Sequence, residues 1–299
     1  MYNQVKLAVI AIAVVIPLAA FSVYASDSDA EQKTPDSTFT VMTSFFPLQE
    51  FAEKIGKGKV DSYLLVPKGI EPHDWEPTIQ DVQRIQNSDL IVINGIGFES
   101  WIDKLDQMNF HGMIVDTSDN IIGKDKVILD EHVQDPHIWL NPIYAKIQVQ
   151  NIANAFSNFD PKNEKFYQQN ANDYMVELDR LDSKIRSELS SCNRDFIAFH
   201  NAFSYFADEY GLNQHTIISS NVPHAEPTAK TLENVINTAK KLNVKIIFTE
   251  ETVDHRTSEI IAKEIGGKVQ VLSPIEIGND KSYIFRMIEN LNHLKEALC

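Results

Sequence analysis

The sequence predicts a two-lobed α/β protein, in which each lobe is a small parallel sheet flanked by helices and one long rigid helix joins the two. Short apolar runs alternate with helical patterns in both halves of the chain. A stretch without glycine, roughly Pro142 to Ser191, separates those halves. Runs such as LIVIN lack the polar alternation of a half-exposed strand, which suits a parallel sheet covered on both faces.

In chain order, FTVMTSF precedes a helix opened by Pro47, DSYLLV precedes a loop, LIVING precedes the helical pattern FESWIDKLDQM, and MIVD precedes a further loop. The long stretch breaks at Asp160-Pro161, where Asp caps and Pro takes the first position of a new helix. From Pro161 to Ser191 that helix would run about 45 Å. No Pro or Gly lies between Lys162 and Ser191 to kink it. Strands DFIAF, HTIIS, VKIIFT and KVQVL then follow with helices between them, and a last helix runs from about Lys281 to Leu298. The expected domains are an N-terminal lobe at 39–160, a connecting helix at 161–191 and a C-terminal lobe at 192–299.

Before the fold, Leu7 to Ala25 is apolar without a charge, and residues 1–25 read as a signal peptide or a membrane anchor. Val23 and Ala25 suit cleavage before Ser26, yet the span is also long enough to cross a bilayer. No cysteine lies here, so a lipid-modified N-terminal cysteine is not expected. Residues 26–38 read as a polar linker. Either N-terminal reading puts the folded part outside the cytoplasm, where Cys192 and Cys299 either pair or remain two thiols.

Of 299 residues, 43% are hydrophobic, enough for two cores, and the net charge is −15. Such acidity excludes nucleic acid as a partner and concentrates cations, although solubility alone also accounts for it.

A fold of this kind binds ligands beyond the carboxyl ends of its strands, and three of the nine histidines stand there or in stiffened loops. His73 follows DSYLLV in VPKGIEPHDWEPT, between Pro72 and Pro77. His137 lies in DPHIWLNP, with Asp135 close enough to orient its ring. His200 ends the strand DFIAF. On local grounds each is equally a surface or capping histidine. The three are 64 and 63 residues apart, which rules out short-range zinc patterns such as HExxH and would place the ligands on both lobes around a cleft. His132, in LDEHVQDPH, is a candidate accessory ligand. His111, His215, His224, His255 and His293 read as surface or packing residues, with His224 in NVPHAEPTAK the best placed of them.

The stretches TSFFPLQEFAEKIGKGKV, GIEPHDWEPT, LIVINGIGFESWIDKL, DPHIWLNP, FIAFHNAFSYFADEYGL, EPTAKTL, IIFTEE and SPIE…YIFRMIENL run in one order over nearly the whole chain from Phe39. They resemble the cluster A-I substrate-binding proteins of ABC transporters for zinc and manganese. The resemblance implies that His73, His137 and His200 are the first three metal ligands. Manganese members usually carry Glu third and Asp fourth. Here the third is His, and Leu272-Ser273-Pro274-Ile275-Glu276 stands where those members have Asp-Ser-Leu. Zinc-binding relatives with a Pro-x-Glu pattern use the Glu, which implies Glu276 as the fourth ligand.

Three imidazoles and one carboxylate suit Zn2+, whereas the alternative, Mn2+, prefers more oxygen. The long His-rich loop of some zinc members is absent, and Thr117 to Asp135 is acidic instead. The implied function is an extracytoplasmic monomer that captures a divalent cation and delivers it to the permease and ATPase subunits of an importer. Two alternatives are a zinc hydrolase, for which Glu250 or Glu251 would have to supply a base, and a surface adhesin. Metal binding is expected to fail as pH drops through about 6.5, and capture is expected to reorganise the loops at His73, His137 and Glu276 around an unbending helix.

Overall fold

The computed structural model describes residues 39–105, 107–121, 127–128, 133–218 and 227–299. The leader or anchor and the linker expected at residues 1–38 lie outside these, as do His132 and His224. Among the described residues no helix is long and apolar enough to cross a membrane.

The first lobe contains β1 (Phe39–Thr43), α1 (Phe46–Gly56), β2 (Val60–Leu64), α2 (Ile79–Gln86), β3 (Leu90–Ile93), β4 (Met113–Asp116), the two-residue strands β5 (Val127–Ile128) and β6 (Val133–Gln134), and α3 (Pro142–Phe159). The long helix is α4 (Glu164–Leu189), entered through a 3-10 turn at Pro161–Asn163. The second lobe contains β7 (Asp195–Ala198), α5 (Ser204–Tyr210), β8 (Asn213–Thr216), α6 (Ala229–Leu242), β9 (Ile246–Thr249), α7 (Arg256–Ile265), β10 (Lys268–Val271) and α8 (Tyr283–Leu298). Two parallel sheets result, ordered β2-β1-β3-β4 and β10-β9-β7-β8.

The unbroken apolar runs have a direct physical reason. In β3, Leu90 and Val92 join the central core while Ile91 and Ile93 join a cluster on the opposite face. In β9, Ile246 and Phe248 enter the same central core while Ile247 faces a third cluster. Successive residues of a strand point to opposite faces, so both sets must be apolar. The central core is continuous through both lobes. It is threaded by α4, whose buried Tyr167, Ala171, Tyr174, Leu178, Leu181, Ile185 and Leu189 form one stripe at helical spacing.

Three local expectations change. A helix stands where the sequence suggested only a loop before β3: α2 is started by a capping box in which Thr78 and Asp81 satisfy each other's backbone. Among the described residues of the helical pattern FESWIDKLDQM the regular element is a 3-10 turn at Ile102–Lys104, and Glu99 ahead of it turns back to accept the Asn94 and Gly95 N–H groups. Strand β8 begins two residues before HTIIS, where pairing with β7 begins at Asn213.

Cys192 and Cys299 form a disulfide that ties the chain end to the turn after α4. It closes a loop 107 residues long, a size at which cross-linking chiefly restricts the unfolded chain. Replacing both cysteines with serine should lower the unfolding free energy by about 2–4 kcal/mol, read as a lower urea midpoint with unchanged far-ultraviolet circular dichroism. An unmoved midpoint would show that the bridge contributes no stability.

Candidate metal centre

Each sheet has a point where the chain order reverses, between β1 and β3 in the first and between β7 and β9 in the second. Crevices open at such points beyond the strand ends. At the second, His200 follows β7 and Glu250 directly follows β9. Their side chains meet, His200 Nδ1 lying 2.5 Å from Glu250 Oε1. At the first, Glu99 accepts from Ser44 Oγ at 2.6 Å and from the Asn94 N–H at 2.7 Å. Burial nevertheless pushes its carboxyl up to about 7. Asn94 in turn donates to the carbonyl of Pro136 at 2.8 Å and so holds the loop that carries His137. Gly95 permits this turn, with a φ of 84° and Asp116 so close that a Cβ would collide with it.

His137 is fully buried, and its Nδ1 lies 2.8 Å from Asp135 Oδ1. His73 sits on a one-turn 3-10 helix, Pro72–Asp74, with its N–H donated to Glu71 and its ring edge-on to Phe98, 4.8 Å between centroids. Glu276 lies beyond β10, only 3% exposed.

The structure brings these four side chains together: one ligand atom from each of His73, His137, His200 and Glu276 lies within 4.8 Å of all the others. Glu276 Oε1 is 3.4 Å from His73 Nε2 and 3.3 Å from His137 Nε2. His137 Nε2 and His200 Nε2 are 3.2 Å apart. Ligand atoms about 2.1 Å from a tetrahedral zinc lie about 3.4 Å from one another, so these edges already have the spacing of such a site. His73 Nε2 and Glu276 Oε1 are buried without a hydrogen-bond partner, an arrangement that a bound cation would satisfy.

The carboxylates behind the rings set the direction of the lone pairs. With Asp135 and Glu250 accepting from the two Nδ1 atoms, both Nε2 lone pairs face one point. Burial disfavours a charged His137, but Asp135 and Glu276 outweigh it and raise its pKa to about 9. Burial lowers that of His73, against the pull of Glu276. Burial alone would push Glu276 up, yet His73 and His137 hold it well below the usual carboxylate range. Nearby Glu71 is pushed up to about 9, first by burial and then by the charge of Glu276.

Two segments meet across the lobes beside these residues. Trp139 donates its indole N–H to the carbonyl of Pro274 at 2.7 Å, and Tyr283 donates its hydroxyl to the carbonyl of Trp139 at 2.5 Å. The His137 and Glu276 loops are thereby clasped together. The remaining described histidines stand apart: His111 is exposed, His215 pairs with Asp195 at 2.9 Å, and His255 and His293 bond backbone carbonyls. Sequence reasoning considered Glu250 only as a possible base, although an acidic residue at the end of a central strand beside the switch point was a signal for the role it takes.

Residues 41–297 match the family described as zinc-uptake complex component A, periplasmic. The chain is 36% identical over 278 residues to the high-affinity zinc uptake system protein ZnuA of Bacillus subtilis, covering 86% of this chain and 87% of that protein. It is 31% identical to the zinc-binding protein AdcA of Streptococcus pyogenes over 90% of this chain, but spans only 58% of that longer relative. A crystal structure of ZnuA superposes with a TM-score of 0.79 at 33% identity, over 87% of this chain and 99% of that one. With its fold and its match over residues 41–297 in agreement, the chain belongs to the periplasmic zinc-uptake component A family.

Proposed function

We propose that this protein captures a zinc ion outside the cytoplasm with His73, His137, His200 and Glu276 and passes it to the permease and ATPase subunits of a membrane importer. The observation that carries this reading is the convergence of three imidazoles and one carboxylate at a buried point, all within 4.8 Å of one another and three of the separations close to a tetrahedral edge. Nitrogen-rich, four-fold coordination favours zinc over manganese, which takes more oxygen ligands at a larger coordination number.

Capture also fits this chemistry better than hydrolysis does. Hydrolysis needs a position open to water and a free base. Glu276 fills the fourth corner, Glu250 is committed to His200, and Glu251 is paired with Arg286 at 2.7 Å.

Changing His73, His137 or His200 to Ala should each weaken zinc binding, measured by competition with a chromophoric chelator. Glu276→Ala should weaken it while keeping the preference for zinc over manganese. Unaltered affinity in any one variant would remove that residue from the site.

Proton competition should also show. Zinc needs the His137 Nε2 lone pair, and a pKa raised to about 9 leaves that ring protonated at neutral pH in the metal-free protein. Affinity should therefore decline as pH falls below about 9, rather than only below the ordinary imidazole value, by about tenfold per pH unit for each proton displaced. Calorimetry at pH 7.5 in buffers of different ionisation enthalpy should record net proton release. A buffer-independent heat would contradict it.

The clasp through Trp139 also limits where capture can reorganise the chain. Zinc should increase amide protection mainly in residues 65–74, around His73, with little change in α4 or in the His137 and Glu276 loops. Equal gains in all three loops, or large changes midway along α4, would count against this division.

A further inference from the structure

Glu276 lies between β10 and α8 in a segment without regular secondary structure, and such a segment does not aim a side chain by itself. Its neighbour Ile275 has a φ of 61°, a conformation that a β-branched residue rarely takes unless its surroundings impose it. The imposing group is Arg286, on the first turn of α8 and 2% exposed. Its Nη1 donates to the carbonyl of Ile277 at 2.5 Å, and its Nη2 donates to Ser273 Oγ at 2.6 Å. Ser273 Oγ then accepts the N–H of Ile275 at 3.1 Å. One guanidinium therefore grips the chain on both sides of Glu276 and reaches the strained residue through one hydroxyl. One helical turn further along α8, Asn290 exchanges two more bonds with the Ser273 backbone, at 2.9 and 2.7 Å.

The same Nη2 donates to Glu251 Oε1 at 2.7 Å. Glu251 adjoins Glu250, which holds His200. Thus Arg286 links the segment carrying Glu276 to the strand end that orients His200. None of its hydrogen bonds reaches a candidate ligand atom. The three contacts need a planar fork of donors, and the single nitrogen of a lysine could not hold Ile277 and Ser273 apart in this way.

We propose that Arg286 is a positioning residue for zinc capture, presetting the Glu276 carboxylate and locking it to the His200 arm before the ion arrives. The proposal rests on the reading of His73, His137, His200 and Glu276 as the zinc site.

The test compares the full chain with Arg286→Met, Arg286→Lys and Glu276→Ala, and with Arg286→Met combined with Glu276→Ala. Zinc affinity is read by chelator competition and coordination by the visible absorption of the cobalt(II)-loaded protein. Arg286→Met should weaken zinc binding about tenfold or more and reduce the intense absorption of tetrahedral cobalt. Arg286→Lys should not restore either. In the Glu276→Ala background, Arg286→Met should cost less than about a further twofold, because its effect runs through the missing carboxylate.

Unchanged affinity with an unchanged cobalt spectrum in Arg286→Met would overturn the proposal, as would an equal loss in both backgrounds. Should Arg286→Met fail to fold, Ser273→Ala and Glu251→Ala carry the test, since each removes the acceptor of one arm of the guanidinium. Both are expected to bind zinc more weakly while keeping the wild-type far-ultraviolet circular dichroism, and wild-type affinity in both would overturn the proposal. If Glu276→Ala itself binds zinc like the wild type, the site reading fails first; if it binds more weakly and the Arg286 variants do not, only the positioning role fails.

Discussion

Two buried imidazole nitrogens, His137 Nε2 and His200 Nε2, face each other at 3.2 Å, and the surrounding structure is organised around keeping them there. Two lone pairs at that distance stand opposed unless a proton or a cation lies between them. What enforces the opposition is the pair of carboxylates behind the rings, Asp135 and Glu250, each taking an Nδ1. Without them either ring could turn its lone pair away. A proton on His137, which Asp135 and Glu276 favour, and the zinc ion proposed to replace it would answer the same electrostatic demand.

That demand cannot be met by one lobe. Glu250 comes from the end of β9 and His200 from the end of β7, whereas Asp135 and His137 come from a loop of the first lobe that Asn94 anchors at the other switch point. The lobes must therefore be held in register to within a fraction of an ångström. Two features of the fold supply this. The central core runs unbroken through both sheets along α4, and the clasp of Trp139 with Pro274 and Tyr283 joins the lobes next to the site. A hinge in the middle of the molecule would have to break both. His73 differs, because it rides on a short turn edge-on to Phe98 and is the arm best able to move without disturbing the rest.

Polar groups away from the centre show how the preorganisation is sustained. Glu50 is buried on α1, where it accepts the first N–H of α8 at 2.6 Å and the hydroxyl of Tyr174 on α4 at 3.1 Å. Burial still raises its pKa despite those bonds. A carboxylate at the N-terminus of α8 suits the helix dipole, and it fixes the helix that also carries Arg286. The long helix, the last helix and the segment bearing Glu276 are thus one connected assembly.

Much of this was legible in the sequence for a simple reason: central parallel strands covered on both faces are apolar at successive positions, so LIVI and IIF announce themselves, and a helix of 26 residues without Gly or Pro has no other reading. His73, His137 and His200 could be singled out because prolines or strand ends fix their local backbone. The resemblance pointed to Glu276, but nothing local about it did, since its direction depends on a positive φ at Ile275 that Ser273, Arg286 and Asn290 sustain from elsewhere in the chain, the last two on α8. The pairing of Cys192 with Cys299 was likewise undecidable until the end of α8 was seen to return to the end of α4. Glu250 and Asn94 acquire their parts only when two strands distant in sequence become neighbours. Side-chain periodicity is a local property and is written along the chain, so the sequence by itself determined the strands, the long helix and which histidines have stiff backbones. Which lone pairs meet, and which carboxylate stands behind each ring, was decided only by the tertiary structure, because those contacts join residues brought together by the strand order of two sheets.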